Sequence, residues 1–140
     1  PIIERLTHAH DQIILFSRRP EDQVLASERV ELRPLGRPEF LEELRKADVV
    51  VSSAGSQLIS ECVALKKPLF ALFLHDHDEQ RLNLGMLKAM GAGDGCSFDE
   101  VTKDKLADFL ASPPEGTNEL WNWDAPDAAE AVLLALERHQ

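Results

Sequence analysis

Three short apolar runs constrain this chain most: Gln12–Phe16 (QIILF), Val49–Val51 and Leu69–Leu74 (LFALFL), with stretches of helical periodicity between them. Val49–Val51 shows no polar alternation, which marks a strand covered on both faces of a parallel sheet. Leu69–Leu74 is apolar without interruption and reads as a buried strand. A second strand is expected over Val30–Arg33, ended by Pro34 and Gly36, and a short one near Gly95–Phe98.

Helices are expected between these strands. Over 39–46, Phe40, Leu41 and Leu44 share one face with charges opposite. Over 57–65, Leu58, Cys62 and Leu65 recur at helical spacing, Ser56 serves as cap, Lys66 and Lys67 suit the C-terminal dipole, and Pro68 blocks continuation. Further helices are predicted over 79–90, closed by Gly91 and Gly93, over 99–110 with Asp99 as cap, and over 127–138. Arg18–Asp22 and 112–118 read as loops, and Trp121 and Trp123 as packing that pins the last helix. Regular β/α alternation with short connections predicts an α/β, Rossmann-like, doubly wound parallel sheet.

At 140 residues the chain reads as one domain, 1–140, large enough for its own core. It opens on a helix-like stretch over 2–9, as though a preceding strand and turn were absent. The expectation is therefore a fragment of a longer enzyme lacking its first strand, with an open sheet edge that favours pairing with a second copy. A formal net charge of −10 argues against nucleic acid or an anionic membrane as partner. No run approaches the roughly 18 apolar residues of a membrane span. No leader or lipidation signal is read, and Cys62 and Cys96 form no CxxC pair, so a cytoplasmic protein with reduced thiols is expected.

In an open parallel sheet, ligands bind beyond the carboxyl ends of the strands. After Val49–Val51 comes Ser53-Ala54-Gly55-Ser56-Gln57, a turn that opens a helix and offers free backbone N–H groups to a phosphate or pyrophosphate. Gly55 lets backbone approach a ligand with no Cβ in the way. Glu61, about one and a half turns further, would repel phosphates, so accepting hydrogen bonds from two vicinal ribose hydroxyls is its sensible role. After the next strand, Glu79 and Gln80 suit the hydroxyls of a hexose, with Asn83 one turn on. The plainer alternatives are an ordinary strand-to-helix turn at Gly55 and a solvated helix start at Glu79.

The stretch 47–93, with Gly55 followed six residues on by Glu61 and then Glu79-Gln80-x-x-Asn83, resembles the nucleotide-sugar-binding half of two-domain (GT-B fold) glycosyltransferases. It is similar to the group containing the lipid I N-acetylglucosaminyltransferases and UDP-glycosyltransferases, and most of all to a prokaryotic glycosyltransferase-like family. The resemblance implies a hexosyltransferase that uses a nucleotide-sugar, UDP-linked by analogy, with inversion. It implies pyrophosphate at Ser53–Ser56, ribose at Glu61, sugar near Glu79 and Gln80, and base against backbone near Leu35, Gly36 and Arg37.

It also implies that the general base lies in a missing N-terminal acceptor domain, so no catalytic residue is assigned and the chain alone is not expected to turn over. Departures from the pattern are Ser53 where plant enzymes have His, and Leu58 where many relatives have Ser or Thr. A metal reading of His75-Asp76-His77-Asp78 is set aside because this architecture works without a bound metal; His75 is expected at the donor instead. No cofactor is implied. The alternatives are a nucleotide-sugar epimerase or hydrolase of the same architecture, and a non-catalytic subunit or interaction module.

Overall fold

The computed structural model describes residues 12–115. Strand β1 (Ile13–Phe16) pairs in parallel with β2 (Val30–Arg33), Ile13 opposite Val30. Strands β3 (Val50–Ser53), β4 (Leu69–Phe73) and β5 (Gly93–Ser97) form a second parallel set with β4 in the middle. The α-helices among the described residues are α1 (Arg37–Lys46), α2 (Ser56–Ala64), α3 (Asp78–Ala89) and α4 (Lys103–Ala111).

Side chains alternate across strands, so each strand feeds two faces. On one face Leu69 and Ala71 pack with Leu44 of α1, Ile59, Cys62 and Val63 of α2, and Leu84 and Leu87 of α3. On the other, Phe70 and Leu72 meet Cys96, Val101, Leu106 and Phe109, the last two from α4. The Phe70 and Phe109 rings meet edge to face at 5.2 Å. A right-handed crossover places successive helices on one face while strands are added in one direction, which accounts for α2 and α3 lying together.

Strand β1 joins the same layers. Ile13 packs against the α4-side cluster, while the Phe16 ring meets Phe40 of α1 edge-on at 5.2 Å. The structure is thus the doubly wound parallel α/β arrangement, with helices on both faces. Each large apolar side chain fully withdrawn here, such as Leu69, Leu87 or Leu106, contributes roughly 1.5–3 kcal/mol.

Several local expectations are corrected. The apolar run before Ser53 suggested a strand covered on both faces, yet β3 is only half-buried; β4, paired along both edges, has that environment. The polar loop after Arg18 contains a 3-10 helix, Pro20–Leu25, begun by Pro20 and braced by the Asp22 carboxylate, which accepts from the Ser17 hydroxyl and from Arg19. Helix α4 starts at Lys103, capped by the Thr102 hydroxyl, which accepts from the Lys105 N–H at 3.2 Å; Asp99 is not its cap. Residues 97–100 form a separate turn in which Glu100 accepts from the buried Ser97 hydroxyl at 3.0 Å.

Strand β5 begins earlier than composition suggests, since glycine disfavours strands. Packing overrides that preference: a Cβ at Gly93 or Gly95 would stand 2.0 or 1.9 Å from the Leu69 or Ala71 carbonyl oxygen of β4. The helix over 2–9, Trp121, Trp123 and the helix over 127–138 lie outside the described residues. No helix among the described residues is long and apolar enough to cross a membrane.

Candidate functional site

Parallel pairing brings the carboxyl ends of β1 and β2 together and, separately, those of β3, β4 and β5, and the contact of Arg37 with Glu61 joins the turn after β2 to the turn after β3. At the end of β3, Ala54 is fully buried, its N–H donating to the Leu72 carbonyl at 2.8 Å, which seats the turn on β4. Gly55 is the N-cap of α2 with extended backbone (φ −78°, ψ 137°) and its N–H donates to the Ser53 carbonyl. Ser56 is the first helical residue rather than the cap, and among the described residues no side chain caps α2.

The first intrahelical bond runs from Ile59 N–H to Gly55 carbonyl, so the N–H groups of Ser56, Gln57 and Leu58 stand at the start of the helix with no acceptor within it. Among the described residues a Cβ on Gly55 would meet nothing within 4 Å. Its conformation does not demand glycine; the open space over it does permit close approach by a ligand.

Glu61 follows on the second turn of α2. Its side chain is 17% exposed, and Oε1 accepts from Arg37 Nη2 at 2.8 Å and from Gln57 Nε2 at 3.4 Å. Arg37 opens α1 directly after Gly36, whose position as N-cap follows Leu35 and the end of β2. The ion pair therefore brings the Leu35–Gly36 loop to the Glu61 carboxylate across 24 residues of chain. The sequence singled out both groups but not the link between them; an arginine beside the loop was the available signal.

The second loop is joined to the first by Asn83. Its amide Nδ2 donates to the Ala54 carbonyl at 3.0 Å, tying α3 to the turn before α2. The Leu74 N–H donates to Gln80 Oε1 at 3.0 Å, leaving the Gln80 amide nitrogen available among the described residues, while Glu79 is exposed. Helix α3 begins after His77 with no side-chain cap, so a second helix start with open donors lies at the same edge. His75, 58% exposed, lies 3.5 Å from the Asp99 carboxylate and edge-on to Phe73. Its ring is engaged with the turn after β5, on the far side of β4 from β3.

Large apolar residues also stand exposed just past the strand ends: Leu35 after β2, Leu74 after β4 and Phe98 after β5, each more than 40% exposed. Open grooves of about 430 and 800 Å³ run along the edge of β5 that pairs with no described strand, near Lys88, Cys96 and Lys105, the smaller reaching Phe73 and Glu100. Among the described residues Leu35, Leu74 and Phe98 make the strand-end turns an exposed shelf.

Cys62 is fully buried next to Glu61, and burial, with the Glu61 charge adding to it, pushes its thiol up to about 12. Burial also raises the Cys96 thiol, and both cysteines are free. Neither is set up as a nucleophile, because the thiolate is the reactive form. Among the described residues no group of three or more His, Cys, Asp and Glu side chains is placed to hold a metal ion.

The profile of glycosyl transferase family 1 matches residues 2–114. Among curated proteins, an uncharacterized glycosyltransferase of Methanopyrus kandleri is 27% identical over 71 residues, which is 51% of this chain and 21% of that protein. The chain thus covers about a fifth of the relative's length.

Proposed function

The chain belongs to glycosyl transferase family 1, and from that premise we propose that residues 1–140 are the donor-binding domain of a longer glycosyltransferase. The observation that carries this reading is the junction of two uncapped helix starts at the strand carboxyl ends, locked together by the Asn83 to Ala54 bond. Free N–H groups and helix dipoles at such a place favour a diphosphate.

The donor then lies with pyrophosphate over Ser53–Gln57, ribose hydroxyls on Glu61, base against Leu35 and Gly36, and sugar toward Glu79 and the free amide of Gln80. Asn83 borders this track mainly through the turn it braces, and His75 reaches it only by leaving Asp99. A UDP-sugar is the proposed donor, and the lipid I and UDP-glycosyltransferase group the proposed nearest kin. Positive helix ends would stabilise the departing nucleoside diphosphate.

The exposed Leu35, Leu74 and Phe98 favour a partner domain over this shelf, which would carry the acceptor and the general base. Without it the chain binds but does not turn over. Titration calorimetry with UDP tests the track: Glu61→Ala is expected to weaken UDP at least tenfold and Glu79→Ala less than twofold. Equal losses would sink the assignment of roles.

A further inference from the structure

We propose that Arg37 is a positioning residue that holds the Glu61 carboxylate for a ribose diol and so makes the base and ribose loops one unit. The inference rests on the donor reading above and adds a residue to it. Arg37 is the first residue of α1, with Pro38 next, so its arm leaves from a stiff point. It reaches over from solvent, 61% exposed, to an acid that is 17% exposed.

A carboxylate has about four lone-pair sites. Arg37 takes one on Oε1 at 2.8 Å, and Gln57 sits on another at 3.4 Å, the limit of a hydrogen bond. Among the described residues Oε2 accepts from nothing. A cis-diol brings two O–H donors, so one can displace the weak Gln57 contact and the other can take Oε2, while the guanidinium stays. Binding then does not break the ion pair.

The charges argue the same way. In a chain of net −10, an acid beside a diphosphate repels the ligand it serves. It must also lose water when the ribose covers it, and neutral hydroxyls replace that water only in part. A guanidinium on Oε1 offsets both costs, and its charge-assisted hydrogen bond at 2.8 Å limits rotation of the carboxylate. An unpaired Glu61 would rotate and remain hydrated.

The test compares UDP with 2′,3′-dideoxy-UDP by calorimetry on the full chain, using wild type, Arg37→Ala, Arg37→Gln and Arg37→Lys. Wild type is expected to favour UDP by about tenfold, the discrimination a hydrogen bond to a charged group supplies. Arg37→Ala should lose most of that preference, weakening UDP about tenfold and the dideoxy compound less than twofold, with Arg37→Lys intermediate. Arg37→Gln, which keeps an amide donor but no charge, should behave like Arg37→Ala.

Equal weakening of both nucleotides would overturn the proposal, since Arg37 would then act on base or phosphates, and unchanged UDP binding would overturn it too. If wild type itself does not distinguish the nucleotides, the ribose role of Glu61 fails, and this inference with it. Preference retained in Arg37→Ala removes the inference alone.

Discussion

Asn83 is the side chain on which the shape of the candidate site turns, and its replacement has a calculable cost. Its Nδ2 supplies the Ala54 carbonyl with a hydrogen bond at 3.0 Å, and Ala54 is fully withdrawn from solvent. In Asn83→Ala that carbonyl is left buried without its donor, which costs about 1–3 kcal/mol. Taking about 2 kcal/mol, and about 4 °C per kcal/mol for a chain of this size, the midpoint falls by roughly 8 °C.

Asn83→Asp sharpens the test because it keeps the volume and replaces the donor with a carboxylate that faces a carbonyl oxygen. At pH 7 it should be less stable than Asn83→Ala by about 1 kcal/mol. The folded state disfavours the charged form, so the new carboxyl titrates above its unfolded value of about 3.9. Stability is therefore regained as pH falls from 7 through that raised value toward about 4, where the protonated acid can donate to Ala54. Urea unfolding followed by circular dichroism at pH 7 and pH 5 measures both. The reasoning is refuted if Asn83→Ala lies within about 0.5 kcal/mol of wild type, or if Asn83→Asp shows no recovery relative to Asn83→Ala at pH 5.

Two further outcomes follow from local geometry. Lys66 holds φ 55° at the end of α2, where the Lys67 N–H donates to the Cys62 carbonyl at 2.8 Å and the Lys66 N–H to the Val63 carbonyl at 3.1 Å. This is a left-handed helix stop that favours glycine, so Lys66→Gly should raise stability by about 0.5–1 kcal/mol in thermal melts. Lys66→Ala should not, and a gain with alanine would point to the lost charge instead. The Ser97 hydroxyl, and then its N–H, hold the Glu100 carboxyl below the ordinary glutamate value of 4.5. A depressed native value stabilises the fold above the unfolded pKa and is lost as pH falls through the folded one. Glu100→Gln should therefore flatten the loss of stability below about pH 4.5, and an unchanged acid limb would refute it.

The legible parts of the fold were those with a strong local signal. β4 appears within the apolar run between Pro68 and His75, β2 directly before Pro34, and α1 where Phe40, Leu41 and Leu44 share a face. Less legible were parts governed by contacts distant in sequence. Gly93–Ser97 has poor strand propensity and is a strand because β4 offers an edge that only glycine can approach at two positions. Thr102 outcompetes Asp99 as the cap of α4 because the turn at 97–100 is occupied by the Ser97–Glu100 bonds.

For the candidate site, sequence spacing brought out Gly55, Glu61, Glu79, Gln80 and Asn83, because helix starts that follow parallel strands come together at the strand carboxyl ends. Local periodicity and turn chemistry likewise determined the β/α order and the parallel sheet, since both depend on neighbours within about one helical turn or one strand pleat. Only the tertiary structure decided that Asn83 braces Ala54 and that Arg37 holds Glu61. Those bonds span 29 and 24 residues, and a hydrogen bond of 3 Å is set by how helices seat on a sheet, which no local pattern encodes.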